Sequence, residues 1–175
     1  MCNSSKSYDI SEWNVSNVSN MECMFERCKT KSFDDLSEWD VSSVTDMYAM
    51  FNGCEVESFG DLSNWDVSNV TNMDHMFAGC ELESFGDLSN WNVSSVTSMH
   101  AMFARCQVKS FGDLSNCNVS NVVDMSLMFE SCETESFGDL SKWKSKPPFL
   151  MFLDVIIRFK VYFTFSRNVC QYLTI

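Results

Sequence analysis

The run SFGDLSNWDVSNVTNMDHMFAGCELE, residues 58–83, decides how the whole chain is read, because its pattern recurs at a constant step of 26. Trp13, Trp39, Trp65, Trp91 and Trp143 keep that step, with Cys117 standing where a tryptophan is due. Met21, Met47, Met73, Met99 and Met125 form a second column, and Met24, Met50, Met76, Met102 and Met128 a third. Phe25, Phe51, Phe77, Phe103 and Phe129 follow, as do Cys28, Cys54, Cys80, Cys106 and Cys132. The columns at Val15, Phe33 and Leu36 repeat with the same step. A fixed period of roughly 20–50 residues is the mark of units that stack on their neighbours, since one such unit cannot bury its apolar faces alone. Ten of the 12 Met, ten of the 15 Phe and five of the 9 Cys lie in these columns, so their abundance is a property of the repeat.

Within the quoted unit, Trp65 and Val67 alternate with Asp66 and Ser68, which predicts a short strand with one buried side. Val70, Met73, Met76, Phe77 and Cys80 step by three, three, one and three, which predicts the apolar face of a short helix. Thr71 followed by Asp74, and Ser19 followed by Glu22, fit the capping pair at the start of such a helix. Gly53 and Gly79 fall where a helix would end in a left-handed residue. Phe85 then belongs to a return arm, and Gly86-Asp87 to the turn into the next unit. The expectation is a leucine-rich-repeat-like α/β solenoid of about five strand–short helix turns, with a parallel sheet on one side. It spans residues 1–146, and residues 147–175 form a separate hydrophobic, aromatic tail.

Charge narrows the function. Residues 1–141 carry 6 Lys/Arg against 23 Asp/Glu, whereas residues 142–175 carry 6 Lys/Arg against Asp154 alone. An acidic array without a basic patch argues against nucleic acid, whose phosphates need cationic partners. The opening MCNSSKSYDI, residues 1–10, has no apolar run of the signal-peptide kind. Cys2 follows no lipobox.

The string WDVSNVTNMDHMF at residues 65–77, followed by Gly79-Cys80 and then by Phe85, Asp87, Leu88 and Ser89, resembles the 26-residue repeat of bacterial surface proteins grouped with BspA-like leucine-rich repeat proteins. The resemblance covers residues 7–143. It implies a surface protein or lipoprotein at the cell surface or outside the cell, with adhesion or ligand binding as its role and no catalytic activity.

The candidate interaction face consists of the polar residues that alternate with Trp and Val: Asn14, Asp40, Asp66, Asn92 and Asn118, and then Ser16, Ser42, Ser68, Ser94 and Ser120. It suits a repetitive protein or glycan ligand, and equally a merely solvated surface. An intracellular scaffold for protein partners is the alternative function. No catalytic constellation, cofactor motif or metal-ligand spacing is present. His75 and His100, the two histidines, stand in different columns without a third ligand in register. The cysteine column is expected to be buried thiol, because helices about 10 Å wide would hold neighbouring cysteines too far apart for a disulfide. The acids Asp9, Asp35, Asp61, Asp87, Asp113 and Asp139 are expected to bond local backbone at a turn.

After Trp143 the pattern stops at Pro147-Pro148. The alternation of Ile157, Phe159, Val161, Phe163 and Phe165 with polar residues reads as a half-buried strand. Residues 149–165 number 17 and include Asp154, Arg158 and Lys160, which argues against membrane insertion. Two readings stay open: a cap on the last turn, or the product of a shifted reading frame or retained intron.

Overall fold

Each Met-x-x-Met-Phe-x-x-Cys run folds as three overlapping tight turns. In residues 73–80 the N–H groups of Met76, Ala78 and Cys80 donate to the carbonyls of Met73, His75 and Phe77, at 3.2, 3.0 and 3.1 Å. His75 and Gly79 between them are left-handed, at φ +56° and +70°. The left-handed residues reverse the chain after every turn, so no helix propagates. The N–H groups of Met73, His75, Phe77 and Gly79 leave the coil and donate to Ser98, His100, Met102 and Ala104, at 2.7–3.0 Å. The computed structural model describes residues 9–30, 33, 35–82, 85–112, 114–135, 137, 140, 143 and 151, together with the backbone of 156–157. No helix occurs among them.

The difference from the expected short helix has a steric cause. Parallel bridges join Asn20, Asp46, Asn72, Ser98 and Asp124 in sequence on one side. Others join Glu81, Gln107 and Glu133, and Lys29 with Glu55, on another. Such bridges hold chains about 4.8 Å apart. A helix about 10 Å wide does not fit between coils at that spacing. A chain of turns does, and its apolar residues still recur every third position because each turn closes over three bonds. Left-handed residues other than glycine, among them Cys23, Ala49, Ala101 and Leu127, cost about 1 kcal/mol each. The inter-coil hydrogen bonds offset this.

The expected strand at Trp65–Val67 is likewise not formed; the segment runs as irregular chain between two tight turns. Trp65 N–H bonds to Leu62 and Val70 N–H to Val67, at 3.2 and 3.0 Å. Alternation survives, with Trp65 and Val67 buried and Asp66 exposed. Thr71 does not cap a helix. Its Oγ1 donates to the Thr45 carbonyl of the preceding coil at 3.0 Å, and Asn72 Oδ1 instead accepts from Asp74 N–H at 3.0 Å.

The columns become physical ladders. Phe51, Phe77 and Phe103 stack at centroid distances of 5.6 and 5.7 Å, within 6° of parallel. Trp39, Trp65 and Trp91 stack at 6.4 and 6.5 Å. Each buried indole N–H also donates to a carbonyl of the preceding coil, as Trp65 does to Leu36 and Trp91 to Leu62, both at 2.8 Å. One hydrophobic cluster runs unbroken from Ile10 to Met151. Two short strands lie at its C-terminal end, β1 (Glu133–Thr134) and β2 (Ile156–Ile157), paired in parallel.

Candidate interaction face

The polar columns are set by a local motif that the sequence repeats in every coil. Asn14, Asp40, Asp66, Asn92 and Asn118 each accept, through Oδ1, the backbone N–H two residues on, at 3.0–3.2 Å. Ser16 and Ser42 add their hydroxyls, at 2.7 and 2.6 Å. This use of the side chain in place of a ladder bond is why a turn forms where a strand was expected. The Asp40 and Asp66 carboxyls are held below the ordinary carboxylate range, first by the Ser42 and Ser68 hydroxyls and then by those residues' N–H groups. Both stay ionised. All five Asx residues are exposed, while Ser16, Ser42, Ser68 and Ser94 are half-buried and Ser120 is exposed.

Beside this row, Ser43, Asn69 and Asn121 donate to the carbonyls of Ser16, Ser42 and Ser94 on preceding coils, at 2.6–2.8 Å. The face is therefore a fixed comb, with side-chain oxygens repeating once per coil. Asp9, Asp35, Asp61 and Asp87 accept the N–H of the serine two residues on, at 2.9–3.3 Å, as the sequence leads one to expect. Asp113 and Asp139 lie outside the described residues.

A family model described as "Mycoplasma protein of unknown function, DUF285" matches the chain twice, over residues 1–107 and 55–152. The chain belongs to that family. It is a repeat family related to BspA-like surface repeats. No curated protein matches the chain, and no solved structure does.

In this family member the cysteine column needs a correction of reason. Neighbouring coils lie close enough for disulfides, yet Cys54, Cys80, Cys106 and Cys132 are free thiols. Each Sγ donates to a phenylalanine carbonyl of the preceding coil, at 2.9–3.2 Å, so the thiols point alike and do not converge. Burial pushes Cys54 and Cys132 up to about 12, and Cys80 and Cys106 well above the ordinary thiol range. Cys28 differs from the expectation of a plain thiol, because it is disulfide-bonded.

His75 and His100 occupy different columns but meet edge-to-face across adjacent coils, at 5.2 Å. His100 Nδ1 lies 2.8 Å from Ser126 Oγ, whose hydroxyl donates to Asp124 at 2.6 Å. Asp74 Oδ1 accepts from His100 N–H and from Ser98 Oγ, at 2.7 and 2.5 Å. Burial, then the neighbouring His100, lowers the His75 pKa. Among the described residues no group of three or more His, Cys, Asp or Glu is placed to hold a metal ion. No helix among them is long and apolar enough to cross a membrane.

Sequence reasoning missed the part played by Met151. It is buried in the core, and its carbonyl accepts from Phe129 N–H at 2.8 Å. The signal was available: Met151-Phe152 repeats the Met-Phe pair of every coil, three residues early.

Proposed function

We propose that the chain is a non-enzymatic binding module, a leucine-rich-repeat-like solenoid without a helical layer, which displays its comb of Asx and Ser oxygens to a repetitive ligand at the cell surface. The observation that carries this reading is the preorganisation of the comb. Asp40 and Asp66 do not have to give up freedom on binding, because their own turns already fix them. A ligand with matching donors at a regular step, such as a glycan rich in hydroxyls or an array of amides, meets several oxygens at once. Affinity then grows by adding weak contacts in register.

Two further features support the surface setting. Cys28 is disulfide-bonded, and disulfides persist chiefly in oxidising surroundings such as the cell exterior. The remaining column thiols are compatible with such a compartment, because burial keeps them protonated and unreactive.

The test has two parts. Labelling of intact cells with a membrane-impermeant amine reagent should modify the protein; labelling only after lysis would sink the surface reading. A glycan array probed with the purified chain should then show binding that Asp40→Ala with Asp66→Ala weakens. Equal binding by that variant would remove the comb from the mechanism.

A further inference from the structure

Tyr48, His75, His100 and Ser126 come from four successive coils and form one row along the stack. Tyr48 meets His75 edge-on at 5.9 Å, and His75 meets His100 edge-on at 5.2 Å. His100 Nδ1 then lies 2.8 Å from Ser126 Oγ. The row contains both histidines of the chain, and none of its members belongs to the Asx comb.

The hydrogen bonds fix where the His100 proton sits. Ser126 has one hydroxyl proton and donates it to Asp124 Oδ1 at 2.6 Å. Its oxygen therefore accepts from His100, and Nδ1 carries the proton. In the neutral ring Nε2 then keeps its lone pair. The two nitrogens lie on opposite sides of the ring. An Nδ1 aimed at the following coil turns Nε2 toward the preceding one, where His75 stands. The Asp124 carboxyl is held below the ordinary range, first by the Ser126 hydroxyl and then by Ser126 N–H, and it stays ionised. The His100 backbone is pinned as well, since its N–H donates to Asp74 Oδ1 at 2.7 Å. A carboxylate acting on Nδ1–H in this way fixes the tautomer of a metal-ligating imidazole and raises its basicity.

His75 supplies the second nitrogen. Among the described residues no hydrogen bond restrains either of its ring nitrogens. The ring can turn about Cβ–Cγ, a motion that leaves its centroid in place. Zinc takes an imidazole nitrogen at about 2.0–2.1 Å, so a ring centroid stands about 3.2 Å from the ion and two rings at a tetrahedral angle stand about 5.2 Å apart. The His75 and His100 centroids already have that separation, 5.2 Å. Burial, and then His100, keeps the His75 pKa below its ordinary value, which favours the neutral ring that a metal ion needs.

We propose that His75 and His100 form a two-imidazole site for a divalent transition metal ion of the zinc and copper class, with Ser126 and Asp124 orienting His100 and water completing the coordination. Imidazole suits this class, whereas calcium and magnesium take oxygen ligands. The site asks for no third protein ligand, in keeping with the absence of a group of three His, Cys, Asp or Glu among the described residues. The ion ties the coil of His75 to the coil of His100, next to the link that His100 already makes to Ser126.

Zinc titration of the full chain, followed by the imidazole ¹⁵N resonances, tests this. The signals come from two residues only, and a metal buffer sets free Zn²⁺ so that uptake by thiols does not enter the reading. Both rings should shift together and saturate at one midpoint. His75→Ala should raise the His100 midpoint at least tenfold; alanine suits the position, because Ala49 and Ala101 hold the same left-handed place in their coils. Ser126→Ala should raise the midpoint of both rings by about 10–100-fold with a cooperative melt retained. The proposal is overturned if the rings do not respond, if they respond at separate midpoints, or if the His100 midpoint is indifferent to His75→Ala. An unchanged midpoint in Ser126→Ala overturns the part given to Ser126 and Asp124.

Discussion

Restoring the missing tryptophan by Cys117→Trp should stabilise the protein by about 1.5–2.5 kcal/mol, the balance of a regained hydrogen bond, added apolar burial and local repacking. The Leu88 carbonyl meets Cys117 Sγ at 3.8 Å, where the Leu62 carbonyl meets an indole N–H at 2.8 Å. A good hydrogen bond in that place contributes about 1 kcal/mol. The layer also contains a cavity of about 20 Å³ lined by Leu88, Trp91, Met102, Leu114, Cys117 and Trp143 among others. At about 24 cal/mol per Å³ so small a void costs roughly 0.5 kcal/mol, so the neighbours have already closed in. An indole buries about 100 Å² more than a thiol side chain, which contributes roughly 2.5 kcal/mol. Pushing the neighbours apart again costs about 1–2 kcal/mol. The net gain corresponds to a rise in Tm of about 3–10 °C for a chain of this size. Differential scanning calorimetry reads the shift, and a blue-shifted indole emission shows that the new ring is buried. The reverse change one layer earlier, Trp91→Cys, should cost about 3–5 kcal/mol. A buried indole at 117 with an unchanged or lower Tm would refute the reasoning, because the layer would then be no weaker than its neighbours.

Three other changes follow from the columns. Val123 is 76% exposed where Thr45, Thr71 and Thr97 each send a hydroxyl to the preceding coil, at 3.0–3.1 Å. Val123→Thr should therefore add about 0.5–1 kcal/mol in urea titration, and no gain would show that the threonine ladder is energetically idle. Gly79→Ala should cost about 1 kcal/mol, from its left-handed φ of +70° with only ordinary contacts around a new Cβ. Gly112→Ala should cost clearly more, since its Cβ would stand 2.6 Å from the Gly86 carbonyl oxygen. Equal losses would show that the coils separate freely. The buried thiols give a pH dependence: their folded-state pKa values are raised, to about 12 at Cys54 and Cys132, so their stabilising effect is whole below the unfolded thiol value near 9 and is lost as pH rises from there toward 12. Urea titrations at pH 8 and pH 10 should show the loss, and Cys54→Ala with Cys132→Ala should reduce it.

The sequence carried the period, the buried columns and the polar comb, because each rests on side-chain chemistry that recurs. Met73, Met76, Phe77 and Cys80 are all buried, as their spacing requires. What it did not carry is the backbone path between them. A step of three residues belongs both to a helix face and to a run of tight turns, and apolar spacing cannot separate the two. The discriminating signal is the left-handed position every fourth residue. Glycine marks it only at Gly53 and Gly79; the same place holds Arg27, Arg105 and Ser131, and the earlier one holds Cys23, Ala49, His75, Ala101 and Leu127. At the comb, the positions were legible, but the turns that fix the Asx oxygens were hidden behind an alternation that also fits a strand.

Because each residue's main partners lie one coil away, a departure in one column is felt chiefly by the two coils that flank it. Regular positions hold the stack together, and the departures give each coil an individual character. They gather toward the C-terminal half: Cys117 in the tryptophan column, Val123 in the threonine column, and His100 beside His75. Met151 and Ile156 continue the trend, since each meets the fifth coil three residues ahead of the repeat step. The fifth layer thus combines a lost indole, a lost hydroxyl and an imperfect neighbour, while the second and third layers keep every ladder. Opening should therefore start at the C-terminal end of the stack.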